Sequence, residues 1–458
     1  MYGREGKDFT LAAAGDAIIN RKISVCEEKR VKELVNIIRD ADAGFINLET
    51  LLHDFEPYPN AESGGTYMRS PRDITKELEW MGFDLFAAAN NHTGDYSNGG
   101  KVSTIEALEK QNLSYAGLGM NLREARSPCY LDTPRGNVAL VAACSHFPTG
   151  SEAGKQRPDI KGRPGLSPLK LKTKFMVDEK WFENIKKLSE LLGLEEVKKK
   201  DYKEKGLLIP GEDEDNFVLL HPKEGNMVFT KGKDFKIFYE INKEDKGSIK
   251  REIKNANKQS DWTLMSLHFH SGRNGHTNDR SVPDFARSFA HQCIDSGADV
   301  FLCHGSHTLK GIEIYKEKPI FYGLGNFFFQ NKTVDKLPAE MYESLDRYPN
   351  GKDLGNENVP SDVYDVTEYD EEGNPIGFLS NDSYWETVLP VIKFERGKLK
   401  KIDLFPVGLG RNEPRSRRGR PLIKKDKKGK SILKDIKNLS EEFKTEIKIT
   451  ENKGVIEL

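Results

Sequence analysis

Apolar residues along this chain come in short runs that stop on polar groups. DFTLAAAGD (8–16) is apolar until Gly15-Asp16, AGFINLET (43–50) ends in Asn47-Leu48-Glu49, and FDLFAAANN (83–91) runs into Asn91-His92. Runs of this length with little polar alternation predict buried strands. Between them the period becomes helical. Residues 29–40 place Val31, Leu34, Val35 and Ile38 on one face. PRDITKELEWMG (71–82) predicts a helix opened by Pro71, and KVSTIEALEKQN (101–112) predicts another. LSYAGLG (113–119) and NVALVAACS (137–145) read as strands. The alternation predicts an α/β fold.

The texture changes over 155–256. GKQRPDIKGRPGLSP is a Pro/Gly-rich loop. DEKWFENIKKLSELLG carries Trp181, Ile185, Leu188 and Leu192 at helical spacing and predicts a helix laid on the core. EEVKKKDYKEKG and KEDKGSIKREIKNANK are charge-dense and read as solvated. The rhythm returns at WTLMSLHFH (262–270), PDFARSFAHQCIDSG (283–297), ADVFLCHG (298–305) and EIYKEKPIFYGLGNFFFQ (313–330). Residues 331–380 read as acidic loop, 385–409 as two strands joined at Arg396-Gly397, and KSILKDIKNLSEEF as a helix in a basic tail. The expected organisation is therefore 1–154 as the first half of a core and 155–256 as an insertion. Residues 257–330 would be the second half, and 331–458 a loop, a terminal strand hairpin and a basic, helical tail.

Composition narrows the function classes. With 458 residues the chain has room for one large domain with insertions, or for two or three domains. Lys+Arg 71 nearly cancels Asp+Glu 72, so a net charge of -1 gives no global push toward nucleic acid or an anionic membrane. One basic stretch, RNEPRSRRGRPLIKKDKKGK (411–430), contains RGRP, which resembles a minor-groove hook. Without a DNA-binding fold around it, it reads as a solvated loop or an anion-steering surface rather than a nucleic-acid contact. No run approaches the ~20 apolar residues of a spanning helix, and the N-terminus lacks the pattern of a signal peptide. Five cysteines without a CxxC read as reduced thiols. A cytoplasmic location is the expectation.

The chemistry lies at the strand ends. Asp16, Asn47 with Glu49, Asn91 with His92, His268 with His270, and His304 with His307 each follow an apolar run. Strand ends in α/β sheets share one edge, where such folds place their sites. Asp, Glu, Asn and neutral His are the mixed donors that hold Mn, Fe or Zn. Asp16, Glu49, Asn91, His268, His270, His304 and His307 are enough for one or two divalent ions. His53, His146, His221, His276 and His291 show no obvious partner.

The ordered set GD, NLE, ANNHTGDYSNGG, SLHFH and CHGSHTLKGIEIYKEKPIFYGLGNF resembles the CapA-type poly-γ-glutamate capsule-synthesis family, itself similar to calcineurin-like metallophosphatases. The resemblance spans most of 8–330 and, more loosely, 384–421. It implies a metallophosphatase-like four-layer α/β/β/α sandwich with a charged helical insertion and a C-terminal extension. It implies Asp16 as a first-metal ligand, Glu49 in the bridging position, Asn91 as an amide ligand, and His268, His304 and His307 as imidazole ligands. His270 matches less closely. His92 resembles the histidine that protonates a leaving oxygen, with Asp95 holding its ring. Two departures stand out. The family's Asp-x-His is Gly15-Asp16-Ala17-Ile18 here, and the bridging carboxylate is Glu rather than Asp. Tyr67, Arg69 and Asn326 are candidate contacts to an anionic small-molecule or peptide substrate. Three functions follow from the resemblance: a hydrolase of a phosphoester or glutamyl peptide, a peptide epimerase using the same site, or an accessory subunit partnering a polymer synthase.

Overall fold

The computed structural model describes residues 6–209, 211–221, 225–348, 351 and 358–458. Its larger sheet runs Gly454–Glu457, Lys398–Gly408, Glu386–Glu395, Phe9–Ile18, Ala43–Asn47, Leu85–Ala87 and Ser114–Ala116, and Asn326–Phe329 also pairs with Phe9–Ile18. The smaller runs Ile312–Tyr315, Lys318–Phe321, Val300–His304, Trp262–His268, Gly136–Cys144 and Cys129–Thr133. The two face each other across one apolar core. Phe9, Leu11 and Phe45 of the first meet Leu140, Trp262 and Leu302 of the second. The Phe9 and Trp262 rings stack with centroids 5.2 Å apart.

Each sheet buries its other face under helices. Helices Lys29–Arg39 and Thr75–Met81 set Val31, Leu34 and Leu78 against Ala12, Ile46 and Phe86. Helices Lys243–Gln259 and Asp284–Asp295 set Ile253 and Phe289 against Val141, Met265 and Phe301. The central strands are thus buried on both faces, which is why they read as apolar runs without alternation. The result is the expected α/β/β/α sandwich. The hairpin is also found, as Glu386–Glu395 paired with Lys398–Gly408.

Several expectations are corrected. Pro71 does not open a helix; that helix starts at Thr75. The charge-dense 243–258 is not simply solvated, because helix Lys243–Gln259 buries Ile249, Ile253 and Ala256 under the smaller sheet. The helix Glu179–Leu191 is not laid on the core. It buries Phe182 beside Val177 and Phe217, leaving Trp181, Leu188 and Leu192 at 53%, 47% and 62% exposure. Its support is a separate sheet that sequence patterning missed, ordered Asn216–His221, Gly225–Lys231, Leu171–Val177 and Lys236–Ile241. Residues 331–380 are not all loop, since Pro360–Glu368 is helical. Residues 349–350 and 352–357, expected as part of this loop, lie outside the described residues. Strands Lys448–Ile449, at the edge of the larger sheet, and Gly454–Glu457, beside it, follow the predicted tail helix. The basic stretch is largely neutralised: Arg411 pairs with Asp382, Arg418 with Glu368, and Arg420 with Glu28. Among the described residues, no helix is long and apolar enough to cross a membrane.

The buried stripe on helix Lys243–Gln259 generates a contrast that denaturant melts can read. Ile253→Ala deletes a fully buried side chain and should cost about 2–4 kcal/mol. Leu191→Ala, on a residue 76% exposed, should stay within about 0.5 kcal/mol.

Candidate metal centre

Strand register gathers the predicted side chains. Asp16 lies opposite Asn47 on one neighbouring strand and Asn326 on the other. His268 lies opposite Cys144 and His304. Two glycines permit the closeness. A Cβ on Gly15 would stand 1.9 Å from the Gly325 carbonyl oxygen, and the Asp16 backbone N–H donates to that oxygen at 2.9 Å. Gly305 has φ +101°, and a Cβ there would stand 2.7 Å from His268 Nε2. Its N–H donates to Asp16 Oδ2 at 2.9 Å. His307, two residues on, holds a left-handed φ of 58°. A non-glycine residue in that region stores strain, which tends to persist at functional sites.

Two buried groups result, Asp16 with His268 and His304, and Glu49 with His270 and His307; within each, the candidate ligand atoms lie within 4.8 Å of one another. In the first, His268 Nδ1 and His304 Nδ1 are 3.0 Å apart, and Asp16 Oδ1 is 3.9 and 3.5 Å from them. Ligands on a tetrahedral ion with bonds of ~2.0–2.1 Å lie ~3.3 Å apart, so these spacings suit a shared cation. Asn47 Nδ2 donates to Asp16 Oδ1 at 2.8 Å and lies 3.5 Å from Glu49 Oε2, joining the two groups.

The outer nitrogens are tied down. His304 Nε2 meets Ser266 Oγ at 2.6 Å. His270 Nδ1 donates to Asn278 Oδ1, and His307 Nδ1 to Asn326 Oδ1, each at 2.9 Å. Asn326 is fixed in turn, its Nδ2 donating to the Tyr384 carbonyl at 3.0 Å. With Nδ1 protonated, His270 and His307 each keep Nε2 as the ligand atom, the usual way that outer partners set a metal-binding tautomer.

His92 and Asp95 stand beside these groups. They lie on the 3-10 turn Asn91–Gly94 and its C-cap, and Asn90 caps the turn by accepting from the His92 N–H. His92 Nδ1 donates to Asp95 Oδ2 at 2.7 Å, and His92 Nε2 lies 3.8 Å from Glu49 Oε1. Asp95 also accepts from the N–H groups of Met68 and Gly64. Asn91 Nδ2 donates to the Gly64 carbonyl at 2.8 Å.

The donor set fits a cation on internal grounds. Burial raises the Asp16 carboxyl pKa, and burial together with the Asp16 charge holds that of Glu49 well above the usual carboxylate range. Burial pushes the imidazoles the other way, His304 down to about 3 and His268 and His270 well below normal. Neutral imidazole is the ligating form. Among the described residues, Asn47 Oδ1, Glu49 Oε1 and Asn91 Oδ1 are buried acceptors with no hydrogen-bond donor. Orphan acceptors of this kind are rare and call for an explanation; a bound cation supplies one.

Not every candidate joins the cluster. The Tyr67 hydroxyl donates to the Asn60 carbonyl at 2.5 Å. Arg69 donates to the His53 carbonyl and to Asp54, with its guanidinium over the Phe55 ring. Both are committed to the 53–69 loop. Asn326 sits behind His307. Sequence patterning missed Ser266, Asn278 and His146, whose ring lies 4.7 Å from that of His270. Ser266 had a signal, because it precedes His268 by two on the same strand and so shares its face. Asn278 and His146 had none.

Elemental analysis of the chain purified without chelator should give about one or two transition-metal equivalents. Gly305→Ala, which drives a methyl group into the His268 ring, should lose metal several-fold while the far-ultraviolet circular dichroism is retained.

Comparison with known proteins agrees with this architecture. The family model for the bacterial capsule synthesis protein PGA_cap matches residues 10–331. The uncharacterized protein y4sH of Sinorhizobium fredii is 32% identical over 98% of this chain and 93% of its own length. The capsule biosynthesis protein CapA of Bacillus anthracis is 23% identical over 71% of this chain and 61% of its own length. The PGA biosynthesis protein CapA of Bacillus subtilis is 23% identical over 79% and 73%. The strand ends that carry the two buried groups fall inside the matched span, and this chain belongs to the bacterial capsule synthesis protein PGA_cap family.

Proposed function

We propose that this protein is a metal-dependent hydrolase of the metallophosphatase type, acting on a phosphoester or a glutamyl-peptide bond. One observation carries the reading: a histidine–carboxylate pair, His92–Asp95, stands directly against the Glu49 side of two buried ligand sets. A structural metal site needs no such pair, whereas a hydrolytic site does, because a leaving group must be protonated.

In this reading Asp16, His268 and His304 would hold one ion, and Glu49, His270 and His307 a second, with Asn91 Oδ1 as a further donor. A bound divalent cation such as Mn, Fe or Zn would supply Lewis acidity and an activated water near neutral pH. The protein's own residues do the rest. Asp95 accepts a hydrogen bond from Nδ1 of His92 and fixes the ring plane, so that Nε2, on the Glu49 side, is the atom that would pass a proton. That proton goes to the departing oxygen or nitrogen. Asp95 also pins the loop at Gly64 and Met68 through their backbone N–H groups, so ring and loop are positioned together. The names of the Bacillus relatives, which concern capsule and PGA biosynthesis, favour a polyglutamyl substrate, with a polymer synthase as the expected partner.

His92→Asn should keep the metal content and lower turnover of p-nitrophenyl phosphate or a γ-glutamyl anilide about 10²–10⁴-fold. Asp95→Asn should lower it in the same direction. Unchanged turnover in His92→Asn would remove the reading. Deuterium from heavy water appearing at a peptide α-carbon, without hydrolysis, would reassign the same residues to epimerisation.

A further inference from the structure

A cleft of about 460 Å³ adjoins the ligand sets, within the ~300–1,000 Å³ typical of small-molecule sites. It shares walls with the site on two sides. Gly65 lines it, and a Cβ there would come within 3.7 Å of His92 Cε1. Phe378 also lines it, packed edge-on to the His307 ring at 5.3 Å. Much of the wall comes from the 331–385 segment, with Leu345, Tyr348, Leu379 and Trp385 giving it an apolar and aromatic surface.

One group in this cleft is out of character. Lys332 lines it, and the structure gives its ammonium one hydrogen bond among the described residues, to Thr367 Oγ1 at 2.8 Å. An ammonium has three donors. Glu368 also lines the cleft, but it is spoken for by Arg415 at 2.9 Å and Arg418 at 3.0 Å, and Arg415 also meets Asp365. Among the described residues, Lys332, Arg415 and Arg418 thus stand against Asp365 and Glu368, three cations to two carboxylates. Lys332 is half-buried, with the Tyr364 ring 5.6 Å from its ammonium; a partly desolvated cation short of acceptors is costly, and an incoming anion reduces that cost.

We propose that this cleft is a substrate subsite, in which Lys332 takes a carboxylate on an arm of the substrate while the bond to be broken lies at His92. The identity of the neighbouring chemistry rests on the hydrolase reading above. A carboxylate fits better than a phosphate. A single ammonium matches a single negative charge, and the apolar walls make a second one costly to remove from water. The apolar walls suit the methylene chain that would carry such a carboxylate. Lys332 is a positioning residue here, remote from the reacting atoms.

The probe is γ-glutamylglutamate and its fully amidated counterpart, titrated calorimetrically into the metal-loaded full chain. The acid should bind about tenfold tighter than the amide, and Lys332→Gln should reduce that ratio several-fold while Lys332→Arg restores part of it. On the unmutated chain, the acid and not the amide should protect Lys332 from reductive methylation, read by mass spectrometry. An acid-to-amide ratio unchanged in Lys332→Gln, no protection of Lys332, or stronger protection by inorganic phosphate would each overturn the proposal. His92→Asn should keep the discrimination, so the loss of turnover and the loss of the subsite are read separately.

Discussion

Asp16 and Glu49 are buried together with four imidazoles, and the site follows from what that burial costs. Removing an ion from water costs several kcal/mol even after relaxation. Here two carboxylates are linked through one asparagine amide, and among the described residues neither has a lysine or arginine beside it. The imidazoles cannot balance them by protonation, because burial holds them neutral. A cation from outside would offset that cost, as the proposed function requires, and the orphan acceptors of Asn47, Glu49 and Asn91 fit the same reading.

The sandwich makes that burial possible. Parallel pairing of Phe9–Ile18 with Ala43–Asn47, and of Trp262–His268 with Val300–His304, stops the strands together at one edge. Glycines at 15 and 305 let the backbones approach there. Partners behind the imidazoles, Ser266, Asn278 and Asn326, turn them to present a chosen nitrogen. The cluster is therefore preorganised by backbone register and outer hydrogen bonds rather than assembled from loops.

How legible this was depended on how each residue signals its surroundings. Apolar runs ending in Asp, Glu, Asn or His showed the edge of the sheet, because doubly buried strands leave little room for polar alternation. The small sheet escaped notice because Leu171–Val177 (LKTKFMV) mixes lysines into a half-exposed strand. Helix Lys243–Gln259 looked solvated because its buried stripe is only Ile249, Ile253 and Ala256 among charged neighbours. The opposite error befell Trp181 and Leu188, since periodicity reports an apolar face but not what covers it. Arg69 had the right chemistry for an anion, yet a backbone carbonyl and Asp54 claim its donors. Local sequence does not carry that kind of tertiary competition.

The most direct measurement is anomalous X-ray diffraction from crystals of the full chain grown with manganese. The account predicts an anomalous peak within bonding distance of Asp16, His268 and His304, and places any second peak beside Glu49, His270 and His307. A cleft free of anomalous signal, with those side chains satisfied by water alone, would contradict it.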